Sequence, residues 1–424
     1  MINQSTLIIT VLLACLTIIL PRRHILLPII LAGCFVPADQ RMIVFDLDFT
    51  PLRILILASF LRILLRGENG WFKRNRFDNF LFLWMVCGAL IYILQWRSLG
   101  AIIYECGITV DVLGLYWLFR MALSRWEDIE LLGRSFAACA MILAVFVAYE
   151  LATGSNPFTL LGRVTTWVRE GRYRCQASFP HSIMLGLFWA TLVPVFVGCA
   201  KMFRQYQWLY LAAVIVSVFM VMATASSTPL MTLLGVVCVM PMFPYRRYGR
   251  QAAWLLLGVL VGLHLVMKAP VWHLIARLDV VGGSTGWHRY NLIDQAIKHF
   301  PEWAVLGTRG TGHWGYMLVD VTNQFVLEGV RGGILTLALF CLLMFSAVRI
   351  TGRYSLRSMP RGQQWLAWGV CVSVIGHCIS FFGVSYFGQI RMLLYLTFAL
   401  VAFVYDMNPA AVMRVPNKLN AHHE

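Results

Sequence analysis

The stretch SFPHSIMLGLFWATLVPVFVGCA, residues 178–200, decides the fold class. It contains no Asp, Glu, Lys or Arg. As a helix rising ~1.5 Å per residue it is long enough to cross a hydrocarbon core of ~30 Å. Similar apolar runs recur at about 5–20, 24–37, 50–65, 79–95, 102–121, 135–152, 207–223, 227–243, 251–267, 332–349, 364–382 and 388–405. The second and third runs in chain order are short enough to pack as a hairpin, so twelve or thirteen spans are expected. In lipid only a helix or a closed barrel satisfies its own backbone. The expected fold is an all-α, polytopic transmembrane bundle. Composition agrees: 59% of the residues are hydrophobic and 13% charged. An ordinary soluble domain carries roughly a quarter charged residues, which excludes a water-soluble enzyme, and the same figures exclude disorder, collagen and coiled coil.

The formal net charge is +16. On a membrane protein this reflects Lys and Arg gathered in cytoplasmic loops and beside anionic headgroups, not nucleic-acid binding. Every second loop is basic: Arg66, Lys73, Arg74 and Arg76; Arg120, Arg125 and Arg134; Lys201 and Arg204; Arg246, Arg247 and Arg250; Arg349, Arg353, Arg357 and Arg361; and Arg414 and Lys418 in the tail. Those loops and the C-terminus are expected on the cytoplasmic side of a bacterial inner membrane. The chain then divides into ten spans with short loops (1–267), a periplasmic catalytic loop (268–331), the last spans (332–405) and a cytoplasmic tail (406–424). The N-terminus lacks the basic start and cleavage site of a signal peptide, so Thr6 to Leu20 is expected to be kept as a span. Ten of the 11 cysteines lie in or beside apolar runs, Cys175 falls in a polar stretch, and no CxxC or His/Cys spacing suggests a disulfide framework or a metal.

Two outer segments break the charge rule. Residues 153–177 carry Arg163, Arg169, Arg172 and Arg174, and residues 268–331 carry Arg277, His288, Arg289, Lys298, His299, Arg309 and His313 among others. Cations kept there oppose the insertion bias, so an anionic ligand is expected. Guanidinium groups bind phosphate through charge-assisted forks and never lose their proton. Arg172, Arg174, Arg289 and Arg309 are therefore the candidate diphosphate ligands. In the long loop, WHRYNLIDQAIKHF (287–300) reads as a helix preceded by Gly282 and Gly283 and ended by Pro301. Its apolar stripe is Ile293, Ala296, Ile297 and Phe300, with Asp294 and Lys298 paired four residues apart. The glycine-rich GTRGTGHWG (307–315) follows.

His313 is a candidate base, since an imidazole can accept a proton from a sugar hydroxyl near neutral pH. Trp314 and Tyr316 offer rings for stacking on sugars. Asp320 is the other candidate base or the N-cap of the next helix, and Asn323 a polar contact beside it. His181 is a sugar contact or the cap of its helix. Inside the spans, Glu105 and Asp111 need a cavity or a partner, for which Arg120 and Arg53 are the candidates. The turn ASSTP holding Ser226, Ser227 and Thr228 is too generic to interpret.

Three stretches resemble the bacterial O-antigen ligase and polymerase superfamily, integral-membrane glycosyltransferases of the GT-C type. They are RCQASFPHSIMLG (174–186), GWHRYNLIDQAIKHFPEWAVLGTRGTG (286–312) and DVTNQFVLEGVRGG (320–333). Together they cover about 60 residues. The resemblance implies an undecaprenyl-diphosphate-linked glycan donor, with Arg174 and Arg289 matching the arginines that hold the diphosphate. It also implies a metal-independent transfer without cofactors. Relatives carry a histidine before the Asn where this chain has Thr322, which moves the expected base role to His313 or Asp320, and Arg331 stands where many have Glu.

The expected function is a periplasm-facing glycosyltransferase that polymerises oligosaccharide repeat units for an exopolysaccharide or O-antigen. The rivals are a ligase that transfers the glycan to lipid A-core, and a flippase for lipid-linked sugars using Glu105, Asp111 and His377. Expected partners are the donor, a glycan or lipid A-core acceptor, the bilayer and a polysaccharide co-polymerase.

Overall fold

The computed structural model describes residues 2–44, 47–68, 74–277 and 286–407. Gly282 and Gly283, expected to precede the loop helix, and residues 408–424 of the expected tail lie outside the described residues.

Every apolar run picked out above carries helix. In chain order these are α1 (Gln4–Ile19), α2 (Leu27–Phe35), α3 (Pro51–Arg66), α4 (Arg76–Trp96), α5 (Leu99–Thr109) and α6 (Leu115–Ala122). A π-helical turn at Val110–Gly114 joins α5 to α6. Next come α7 (Trp126–Thr153), α8 (Ser182–Met202), α9 (Gln207–Ala223), α10 (Ser227–Val239) and α11 (Gly249–Val266). The segment between α11 and α14 holds α12 (Gly286–Lys298) and α13 (Phe300–Trp303), before α14 (Gln324–Ser355), α15 (Arg361–Phe381) and α16 (Gln389–Asp406). Two small antiparallel hairpins pair β1 (Met42–Val44) with β2 (Leu47–Phe49) and β3 (Trp167–Arg169) with β4 (Arg172–Arg174).

Among the described residues, 9 helical segments are long and apolar enough to cross a membrane. One of them, Ser227–Val266, joins α10 and α11 through a 3-10 stretch. The expected twelve or thirteen spans therefore become nine long segments and the shorter α1, α2 and α3. The 9 residues of α2 reach only ~13 Å, less than half the hydrocarbon core. The protein is a multi-pass, all-α membrane bundle.

At its centre α8 is buried along nearly its whole length and packs against α15, α9 and α10. Glycine permits that contact: a Cβ at Gly369 would come within 2.3 Å of the Pro194 carbonyl, and one at Gly198 within 2.9 Å of the Leu366 Cα. Small residues let helix backbones approach in a membrane, where dispersion replaces the hydrophobic effect as the driving force. By contrast α11 has no buried residue.

Several charges inside the bundle are paired across helices. Arg53 makes two bonds to Asp111, of 2.7 and 2.8 Å, as the sequence suggested. Glu105 instead meets Arg331 at 2.7 Å. Arg120 binds Asp78 and Asp406. It follows Glu105 by a ~22 Å rise along α5 and α6, which puts the two at opposite ends of the bundle.

Between α11 and α14 the expected helix forms, but the buried face is Leu292 and Ala296, while Ile297 and Phe300 are exposed. Leu292 and Ala296 join Trp303, Trp314, Leu318, Val321 and Val330 in a small core of their own. That core selects a face one position away from the stripe read in sequence. Pro301 sits in the first turn of α13 and does not itself end α12, which stops at Lys298. Helix α14 begins at Gln324, inside the expected loop, and kinks at Gly332 and Gly333, where Gly333 has φ +68°.

Candidate functional site

The segment before α8 is tied down by a buried carboxylate. Glu150, near the end of α7, accepts bonds from the backbone N–H of Gln176 (3.1 Å) and Ala177 (2.8 Å) and from the Thr166 hydroxyl (2.8 Å). Glu170 and Gly171 (φ +50° and +71°) turn β3 into β4 in two residues, the left-handed pair that such a hairpin needs. Cys175 is buried, its N–H bonded to the Ala223 carbonyl. Burial and the Glu150 charge push its thiol up to about 12, which makes it a packing residue, not a nucleophile.

These anchors place Arg174 at the end of β4, where it donates to the Ser226 hydroxyl at 2.7 Å. Its Nε is buried without a partner among the described residues. Arg289 reaches the same turn from α12: it donates to the Thr228 hydroxyl at 2.9 Å and to the Gly383 carbonyl at 3.2 Å. Among the described residues neither arginine has a carboxylate within ion-pair distance. Burial draws both guanidinium groups below their usual range, and the positive charge of Arg169 draws both further. Ala225, beside Ser226, sits at φ +43° and Ala177 at +48°, a conformation non-glycine residues adopt at a cost.

His181 caps α8, its Nδ1 accepting from the Ile183 N–H at 3.1 Å. Burial, with the charges of Arg174 and Arg163, lowers it to about 4. The imidazole is thus neutral near pH 7, with its proton on Nε2, so it offers a donor and not a base. Apart from the Gly383 carbonyl, the groups named around the arginines are cations, hydroxyls or an N–H donor, which suits an anion and repels a metal ion.

A second group lies further along α12. His313 Nε2 is 3.0 Å from Glu302, which also accepts from Trp314 Nε1 at 3.0 Å and from the Thr308 hydroxyl at 2.7 Å. Burial works to raise the Glu302 carboxyl, but these bonds outweigh it and hold the group at about 2. Trp314 is buried and stacks on His299 at 5.3 Å, so its faces are not open for a sugar, whereas Tyr316 is 85% exposed. His299 follows Arg289 by ten residues, roughly 15 Å of helix rise. His313 and the arginine pair share no hydrogen bond or ring contact among the described residues.

The remaining candidates separate. Arg172 is exposed, outside the contacts that hold Arg174. Arg309 gives two bonds to the Gln95 carbonyl at the end of α4 and lies over the Trp96 ring, beside a cavity of about 590 Å³. Asp320 is exposed. Asn323, not Asp320, caps α14, accepting from the Val326 N–H at 3.1 Å. It also approaches the Phe382 carbonyl at 3.5 Å, next to the Gly383 that holds Arg289.

Sequence reasoning set the Ser226–Thr228 turn aside as too generic, although it holds the two arginines, and missed Glu302, which orients His313. The only signal for the turn was its position opposite unpaired arginines. Glu302 was hidden in a loop where contact depends on tertiary folding.

No protein-family model, curated protein or solved structure matches the chain. The fold and its charges define a polytopic helical membrane protein with a cation-lined site at one end.

Proposed function

We propose that the protein is a periplasm-facing glycosyltransferase of the bacterial inner membrane, polymerising lipid-diphosphate-linked repeat units of a surface polysaccharide. The observation that carries this reading is the pair Arg174 and Arg289, converging from separate elements with no carboxylate to neutralise them among the described residues. A diphosphate would occupy the space they share with Arg169, His181 and the Ser226–Thr228 turn.

In the reaction, the hydroxyl of the acceptor glycan loses its proton to His313, whose Nε2 is directed to Glu302 and whose Nδ1 then carries the basic lone pair. The hydroxyl oxygen bonds to the anomeric carbon as the bond from that carbon to the diphosphate oxygen breaks. The electron pair leaves on the lipid diphosphate, and the arginines stabilise the charge that accumulates there. Proton and leaving group depart from one anomeric centre, so the loop carrying His313 closes toward Arg289 when donor and acceptor bind. A ligase uses the same chemistry with a lipid A-core acceptor. The carrier reading is less well supported, because Glu105, Asp111 and His377, which its path needs, are engaged by Arg331, Arg53, and Tyr386 with Thr397.

The test is turnover of an undecaprenyl-diphosphate oligosaccharide by the purified chain in detergent, where there is no second compartment. Release of undecaprenyl diphosphate is expected, and Arg174→Ala should lower it by about a hundredfold. A folded protein that releases none, or an Arg174→Ala variant with full turnover, overturns the reading.

A further inference from the structure

At the opposite, basic end of the bundle a second cavity of about 520 Å³ lies between the end of α8 and the start of α15. It is lined by Lys201, Arg204 and Arg361, with Trp365 and Gly362 among its walls. None of the three cations has a carboxylate within ion-pair distance among the described residues; Glu130, on the neighbouring α7, is engaged by Arg134 and by Gln205. The cavity is built, not a gap between mobile chains. A Cβ on Gly362 would lie 3.0 Å from the Met202 Cα, so the two helix ends meet closely. Trp365 is stacked flat on Phe243 at 3.8 Å and carries the Lys201 ammonium 5.9 Å from its ring.

We infer that this cavity holds the phosphate headgroup of an anionic phospholipid. Three uncompensated cations around a recess of headgroup size select for an anion. Apolar side chains on the segments packed against its wall favour a lipid over a free ion. Met242, next to Phe243, and Leu356, next to the Ser355 carbonyl bonded by Arg246, are exposed apolar side chains where acyl chains can run. An indole at this level is the usual companion of a headgroup, with an apolar body and a polar edge. The site does not depend on the glycosyltransferase reading, since it lies at the other end of the molecule and uses none of the same residues.

Native mass spectrometry of the full chain, released from nanodiscs of phosphatidylethanolamine and phosphatidylglycerol, tests the inference. The wild type should retain phosphatidylglycerol in preference to phosphatidylethanolamine. Lys201→Gln with Arg361→Gln should lower that retention by about thirtyfold, at ~1 kcal/mol per cation. Arg247→Gln with Arg250→Gln removes the same charge from the same end outside the cavity and should retain the lipid as the wild type does. Equal retention by the cavity variant, no preference over phosphatidylethanolamine, or an equal loss in the control variant overturns the site. So does displacement of the lipid by equimolar inorganic phosphate, which would show an isolated phosphate site.

Discussion

Arg120 at the basic end of the bundle and Arg289 at the opposite end are guanidinium groups drawn into the protein, yet their surroundings are opposite. Arg120 is 3% exposed and bonds to Asp78 at 3.1 and 3.3 Å and to Asp406 at 2.8 Å. Tyr116 also donates to Asp78, and Asn75 to Asp406, so α4, α6 and α16 are clamped together. Arg289 has two neutral oxygens instead. A cation surrounded by carboxylates has finished its work when the chain folds. One held by a hydroxyl and a carbonyl still lacks a counter-charge, and that difference separates a structural clamp from a place kept for a ligand.

The comparison can be broken most sharply at the clamp. Arg120→Met leaves Asp78 and Asp406 without their cation in a buried setting, which should cost about 3–5 kcal/mol. In detergent unfolding followed by circular dichroism, the variant should unfold far earlier than the wild type or fail to accumulate. A variant as stable as the wild type would show that the clamp is not what joins these helices.

Arg289→Met should do the reverse. No carboxylate is stranded, and a methionine covers the same apolar stem, so the melting temperature should stay close to wild type. Donor turnover should fall by about a hundredfold, corresponding to ~3 kcal/mol of barrier. If stability fell with activity, Arg289 would belong with Arg120 as a structural group.

Most of this architecture was legible in sequence because the bilayer imposes a simple code. Uncharged runs such as 178–200 have to be helices in lipid, and the alternation of basic loops follows from charge. What sequence could not give was pairing between distant elements. Glu105 meets Arg331, 226 residues away, and no local pattern selects that partner over Arg53 or Arg120. The same limit hid the Ser226–Thr228 turn, which acquires meaning only when β4 and α12 bring arginines to it. The helix face at Leu292 was misjudged because Ile293 and Ile297 form an equally apolar stripe, and only the partner core of Trp314 and Leu318 chooses between them.

A smaller effect separates the His313 group from the arginine site. Glu302 ionises at about 2, below the usual carboxylate range, so its bonds contribute stability that is fully present above about pH 4.5 and lost as pH falls through the folded value. Glu302→Gln should therefore melt below the wild type at pH 6 to 7, and the gap should close as pH approaches 2. A gap that does not change with pH would mean that shape, not charge, holds His313.

The smallest effect belongs to the ion pair that sequence spacing picked out on the loop helix. Asp294 and Lys298 are bonded at 2.7 Å, one turn apart on α12, as their spacing predicts. The Lys298 side chain is 62% exposed, so water and salt screen the attraction and the flexible stem loses freedom to make it. Asp294 also accepts from Trp272 Nε1, but at 3.4 Å. Asp294→Asn keeps that longer contact and removes only the charge, and the melting temperature should not move beyond measurement error at physiological salt. A clear drop would show that α12 needs this pair to stay folded. The helix that carries Arg289 would then owe its position to its own surface as well as to the packing of Leu292 and Ala296, and the line between clamp and ligand site would run through α12 itself.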